Sequence, residues 1–277
     1  MAFILISTSG VFGRTMQLDP EIAIFWRSLF AAILLGLFLK ASKRAFSIRS
    51  RLDYNLIMLG GGLMALHWVT YFYSLHLSNV AIAIITLHTY PAMTTLLEPL
   101  ILKTKFRLIH LAMALVVIIG VWIMSPEIRT DNDTTMAIIF GLFSAFAYAI
   151  RNIVTRKVMP YYDGSTMMFY QLCIMAFILS PFLFYKSSAP LITHDIPELV
   201  GLVVLTTCIG HTLLVINLKK YKAITIALLG SIIPIYGILW SFLFLGERPV
   251  PNTLIGGCFI LATFVIASYS AQRSKSE

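Results

Sequence analysis

The chain has 277 residues, 58% of them apolar and only 12% charged, with a mean hydropathy of +0.86. A soluble domain of this length carries about a quarter charged residues, so a water-soluble globule is excluded and the composition is that of an integral membrane protein. The net charge of +9 raises nucleic acid as a partner, and the placement of the basic residues removes it.

Membrane-crossing helices need about 20 mostly apolar residues. In chain order, such runs bounded by charges predict spans at 22–40, 55–76, 80–102, 108–125, 136–156, 166–186, 198–217, 223–245 and 252–270. The N-terminal "MAFILISTSGVFG" would reach only about 20 Å as a helix, against a hydrocarbon core of about 30 Å. It lacks the basic start and the A-x-A-like cleavage site of a signal peptide, and is read as a tenth, shortened helix. Cys173, Cys208 and Cys258 are far apart in apolar runs, which predicts buried small hydrophobes and neither a disulfide framework nor a metal site. No metal or cofactor is expected.

With the N-terminus in the cytoplasm, 15 of the 21 Lys and Arg fall in cytoplasmic loops and tail (40–51, 103–107, 156–157, 219–222, 273–275). Only Arg14, Arg129, Lys186 and Arg248 fall outside. The positive-inside rule therefore predicts cytoplasmic termini, and the basic excess reports topology. Arg27 and Arg151 fall within spans. A charge there costs at least about 2.5–3.5 kcal/mol, so neither faces lipid.

"AIAIITLHTYP" (81–91) and "AITIALLGSIIP" (223–234) each run an apolar stretch into a proline, and Pro91 and Pro234 stand 143 positions apart. The same offset carries Leu75 to Leu218, Leu111 to Leu254, Ile123 to Ile266 and Ser125 to Ser268. Each half holds five spans. Five is odd, so the second half enters the membrane upside down. The fold class is thus an all-α integral membrane protein of ten transmembrane helices, built as two inverted five-helix repeats, 1–126 and 136–271, with a tail at 272–277. Inverted repeats are the architecture of secondary transporters, whose site lies near the midplane. A proline inside a span frees a carbonyl and permits a bend, which makes Pro91 and Pro234 candidate gating positions.

The stretch "SLHLSNVAIAIITLHTYPAMTTLLEPLIL" (74–102) and its echo "NLKKYKAITIALLGSIIPIYGILWSFLFLGE" (217–247) resemble the paired signature helices of the drug/metabolite transporter superfamily, EamA-type ten-helix branch. "FWRSLFAAILLG" (25–36) is similar to the second helix of that family. The resemblance implies transport of a small metabolite across a cytoplasmic membrane. The chain departs from the pattern in its short first helix and in Thr104, where the family often has the glutamate that stands here at Glu247.

Polar residues within spans are the candidate substrate-binding groups. Ser144, Tyr148, Arg151, Asn152 and Thr155 recur at helical spacing on one face. That face binds an anionic substrate group, or else Arg151 only snorkels to the headgroups. His67, Tyr71 and Ser74 share a face, as do His88, Pro91, Thr95 and Glu98. His211 roughly mirrors His67, and Tyr236 with Trp240 forms an aromatic pair. Histidine binds or relays protons near neutral pH, so His67 and Glu98 are the candidates for proton coupling. The alternative for Glu98 is structural pairing with a nearby lysine, and for Arg27 a neighbour or a headgroup. The glycines at 60–62 and 256–257 read as close helix contacts.

No P-loop and no H-E-x-x-H is present, and no acid cluster or Ser/His pair favours an enzyme acting on a lipid-linked substrate. Loops this short leave no room for a signalling domain. The expected partners are a small-molecule substrate, the lipid bilayer, protons or another coupling ion, and a second copy in a homodimer. The expected location is a bacterial inner membrane.

Overall fold

The structure is a computed structural model that describes residues 1–44, 46–103, 108–124, 131–185, 194–214, 216, 230 and 232–273. All regular elements among these are helical. In order they are α1 (Ala2–Ser7), α2 (Ser9–Thr15), α3 (Pro20–Ala41), α4 (Arg51–Leu77), α5 (Val80–Leu87), α6 (Tyr90–Leu102), α7 (Leu108–Met124), α8 (Asp133–Val158), α9 (Gly164–Leu179), α10 (Phe182–Tyr185) and α11 (Ile196–Val200). A stretch of wider π-type turns, Gly201–His211, extends α11, and α12 (Ile232–Leu245) and α13 (Pro251–Arg273) complete the chain. Among the described residues six stretches are long and apolar enough to cross a membrane, and Leu111–Met124, Ile232–Leu245 and Pro251–Thr263 are shorter apolar helices. The chain is an all-α membrane protein.

The helix boundaries follow local chemistry. Ser50 starts α4 ahead of the predicted position 55 by accepting the Asp53 N–H at 3.1 Å, an N-cap satisfying an otherwise orphan donor. Asn79, Asn132 and Asp163 cap α5, α8 and α9 in the same way. Pro181 follows the end of α9 and divides the predicted 166–186 span. The first predicted span is two short helices meeting at Thr8.

α4 lies at the centre, packed along α8 and also against α9, while the π segment packs against α1, α2 and α3. Glycine lets these helices approach. A Cβ on Gly61 would stand 2.7 Å from Ile174, and one on Gly60 would stand 3.1 Å from Gln171. α7 pairs with α13 at the edge of the bundle, where a Cβ on Gly120 would meet the Gly256 carbonyl at 2.8 Å.

The cysteines correct the expectation of burial. Cys173 and Cys258 are exposed and Cys208 is half-buried. On a surface with Phe177, Trp122 and Phe259 also exposed, such positions face lipid.

Contacts sort by bundle end. At one end the Arg14 Nε donates to Glu247 at 3.3 Å, Glu247 also accepts the Val80 N–H at 3.0 Å, and Asp195 accepts the N–H groups of Gln17 and Leu18 at 3.0 and 2.9 Å. At the other, basic end Arg156 pairs with Glu98 at 2.8 Å, Arg44 pairs with Asp163, and the Tyr162 hydroxyl donates to Asp53 at 2.9 Å. Arg49 also pairs with Asp53, and lies over the Tyr161 ring. The Tyr161 contact, then Asp53, raises the Arg49 pKa above its ordinary value. The residues at each end are those predicted to share a side of the membrane. Residues 104–107, 125–130, 186–193, 217–229 and 274–277 lie outside the described residues, so Thr104, the basic run at 219–222 and the first part of the 223–245 span are not described.

Candidate functional site

Halfway along α4, His67 faces α8. Its Nδ1 lies 2.7 Å from the Ser144 Oγ, and that hydroxyl donates to the His67 carbonyl at 2.8 Å. A serine has one hydrogen to give. With it on the carbonyl, Nδ1 must be the N–H and Nε2 the lone pair. The ring stacks on Tyr148, centroids 4.5 Å apart, and Tyr90 meets the same tyrosine edge-on at 4.8 Å.

One turn further along α8, Arg151 is 4% exposed. Its NH1 donates to Asn152 at 3.0 Å and its NH2 to the Gln171 Oε1 on α9 at 2.5 Å. Gln171 in turn donates to Thr155 at 3.2 Å. This corrects the snorkelling alternative, because the guanidinium turns inward to an amide. Gln171 escaped the sequence reading. Its signal was there: a lone amide in "MMFYQLCIMAF" must find a partner or cost free energy when buried.

Arg27 on α3 is 2% exposed. It lies 3.6 Å over the Trp68 ring and donates to Thr207 at 2.9 Å and to Thr206 at 3.0 Å. Both threonines give their own hydrogen to the Leu202 carbonyl, a geometry the wide turns permit and one that leaves their lone pairs for arginine. The headgroup alternative for Arg27 is thereby corrected. Trp68 and Thr206 were not foreseen. His211 packs against Trp68 with centroids 5.5 Å apart. Both guanidiniums lie near enough to act electrostatically on His67 and on His211. Thus His67, Tyr148, Arg151, Asn152 and His211 come together, joined by Arg27, Trp68 and Gln171.

Tyr71 is buried and turns toward α2, in hydrogen-bond contact with Ser9. Tyr236 and Trp240 lie 6.1 Å apart, and Trp240 donates to Ser7 on α1 at 3.1 Å, so this pair sits on the α1 side. Glu98 is at the bundle end with Arg156, not with Lys103. The cavity that residues Arg44, Ser47, Tyr161, Tyr162, Asp163 and Thr166 outline, about 320 Å³, also belongs to the basic end, away from the buried arginines.

The stretch around Pro91 is broken rather than bent. α5 ends at Leu87 and α6 starts at Tyr90, with Pro91 in the first turn of α6. Proline lacks an N–H and its ring crowds the carbonyl four residues back, here that of Leu87. Side chains reinforce the end of α5: the His88 Nδ1, facing a carbonyl and so carrying its proton, donates to Ile84 at 2.6 Å, and the Thr89 hydroxyl donates to Thr86 at 2.8 Å, carbonyls that also accept the backbone N–H of the same residues. Backbone interrupted within lipid depth is tolerated only inside protein or beside a water-lined cavity. Pro234 occupies the first turn of α12, and the residues that would show a matching break lie outside those described. Pro91→Ala is expected to let α5 and α6 fuse. Measured by flux in liposomes, the maximal rate should fall several-fold while the half-saturation concentration stays near wild type.

Residues 1–125 and 135–269 each match the family described as "EamA-like transporter family". "Pseudopaline exporter CntI" of Pseudomonas aeruginosa is 23% identical over 261 residues, covering 91% of this chain and 86% of that one. An "Uncharacterized transporter" of Archaeoglobus fulgidus is 26% identical over 271 residues, covering 96% and 93%. A solved crystal structure superposes with a TM-score of 0.68 at 16% identity, over 98% of this chain and 95% of that one, a likeness that bears on fold alone.

Proposed function

Since the chain belongs to the EamA-like transporter family, and is a multi-pass membrane transporter, we propose that it is a secondary transporter moving a small polar or amphipathic metabolite by alternating access between two inverted five-helix repeats. The site is the polar cluster of His67, Tyr148, Arg151, Asn152 and His211. His88, Tyr71, Tyr236 and Trp240 stand in an outer ring that meets substrate as it passes. Proton coupling through His67, through Glu98 at the basic end, or through both belongs to this reading, as do a bacterial inner membrane and cytoplasmic termini. The Pseudomonas relative is named an exporter, so efflux is the direction to test first.

One observation carries the reading. The contacts at the two ends are matched. Arg14 at the close of the first span reaches Glu247 at the close of the ninth, and Arg156 at the close of the sixth reaches Glu98 near the close of the fourth. Asp195 at the start of the eighth span holds the loop after the first, and Asp53 at the start of the third holds the loop after the sixth. Arg14 and Arg156 are 142 positions apart, and so are Asp53 and Asp195. Each repeat fastens the other by the same design, once at each face. Gating of one repeat against the other about a fixed midplane site is how inverted repeats work.

Reconstitution in liposomes tests the proposal. Gradient-driven uptake from a pooled panel of labelled amino acids and small organic acids is expected. Flux no greater than in protein-free vesicles, from folded protein, overturns transport, and chemical turnover of a lipid-linked substrate favours the enzyme reading instead. The fastenings have their own test. Hydrogen bonds to a charged group contribute about 1.5–3 kcal/mol, so Asp195→Asn with Glu247→Gln is expected to shift the population on the order of tenfold toward opening at that end. Spin-label distances between positions 17 and 248 should lengthen, while those between 52 and 161 stay unchanged. Asp53→Asn with Glu98→Gln should do the reverse.

A further inference from the structure

We propose that the transported molecule bears an anionic group, a carboxylate or a phosphate, and that Arg27 and Arg151 bind it. The inference rests on the transporter reading and narrows the substrate of the same site.

Two cations are buried in the bundle, and among the described residues no carboxylate lies within 4 Å of either. Among the described residues every hydrogen-bond partner they have is neutral: Thr206 and Thr207 for Arg27, Asn152 and Gln171 for Arg151. Hydroxyls and amides aim a guanidinium without neutralising it. The Arg151 Nε is buried with no partner among the described residues, although a guanidinium has five donors in a fixed fork suited to carboxylate and phosphate. Trp68 lies flat against Arg27, which supports the cation through the ring face and fixes its plane. Removing a charge from water without a counter-charge is expensive. The carboxylates are instead spent at the bundle ends, on Arg14, Arg44, Arg49 and Arg156. An anion arriving between Arg27 and Arg151 supplies the missing charge. The two arginines also divide by repeat: Arg27 belongs to residues 1–126 and Arg151 to 136–271. Passing the anionic group from one to the other moves it between the halves.

The test is thermal unfolding of purified protein at constant ionic strength with succinate, L-glutamate or inorganic phosphate, against the uncharged succinamide and glycerol. At least one anion is expected to raise Tm by roughly 5 °C at concentrations far above Kd, and the uncharged probes are not. Arg27→Gln and Arg151→Gln keep polar donors and lose the charge; each should erase the shift, whereas Arg27→Lys retains part of it. Monodispersity on size exclusion shows which variants fold, and Arg27→Lys keeps the comparison informative if a glutamine variant does not. Equal shifts with succinamide, an unchanged anion effect in the folded variants, or no shift with any anion overturns the inference. An anionic lipid headgroup offers the same chemistry, so stabilisation by phosphatidylglycerol nanodiscs alone, with none by soluble anions, overturns it too. Anion binding without liposome flux would sink the transporter reading and leave this site standing. Flux without anion preference would do the opposite.

Discussion

Replacing His67 by alanine is expected to abolish substrate uptake in liposomes while the protein still inserts and remains monodisperse. The imidazole is the joint between α4 and α8: it bonds Ser144 through Nδ1 and stacks on Tyr148. Its removal forfeits that hydrogen bond and an aromatic contact. Together these are about 1–3 kcal/mol, a change on the order of 5- to 150-fold in any equilibrium they support. Tyr148 then loses the surface that holds it between His67 and Tyr90, and the Arg151 side chain one turn away loses the wall beside it. Ser144→Ala removes hydrogen bonds and leaves the ring stacked on Tyr148, so its effect should be smaller. Uptake by the alanine variant of His67 within twofold of wild type would remove the histidine from the site.

The second large effect concerns assembly. Gly256 on α13 and Gly120 on α7 bring two backbones together, and a Cβ at Gly256 would run into the Gly120 carbonyl and stand 2.5 Å from the Met124 Cγ. A backbone carbonyl within a helix has nowhere to go. Gly256→Val is therefore expected to separate α7 from α13, to cost about 1–3 kcal/mol or more by overpacking, and to lower both Tm and the yield of monodisperse protein. Gly62→Ala is the control. A Cβ there meets only the Ile178 Cδ1 at an ordinary 3.7 Å, so Tm should barely move. Equal loss in both variants would mean that the α7–α13 contact is not special.

Much of the fold was legible because lipid imposes simple rules. Length, apolarity and flanking charge located the apolar helices, and Arg44, Arg49 and Arg156, which meet carboxylates at one bundle end, are among the basic residues that charge counting grouped together. What escaped was whatever depends on a partner far along the chain. Arg151 looked free to snorkel because its amide, Gln171, stands on a different helix. Arg27 looked like a residue of the membrane surface because Thr206 and Thr207 lie about 180 positions away. Pro91 announced an irregularity, but the return of the His88 and Thr89 side chains onto the Ile84 and Thr86 carbonyls was not legible in it. The cysteines failed for another reason: in a membrane protein, apolar surroundings in sequence do not distinguish a core from a lipid-facing surface.

The interruption at residues 88 and 89 has a consequence for leakage. If residues 80–102 formed one rigid rod, loosening Glu98 from Arg156 at one mouth would drag on Val80 and Glu247 at the other. A jointed rod transmits no such lever, so the Val80–Glu247 and Arg156–Glu98 contacts, both made here, are mechanically separate. A carrier that passes through a doubly sealed stage resembles an airlock, and a membrane that stores energy as an ion gradient can host it without being short-circuited.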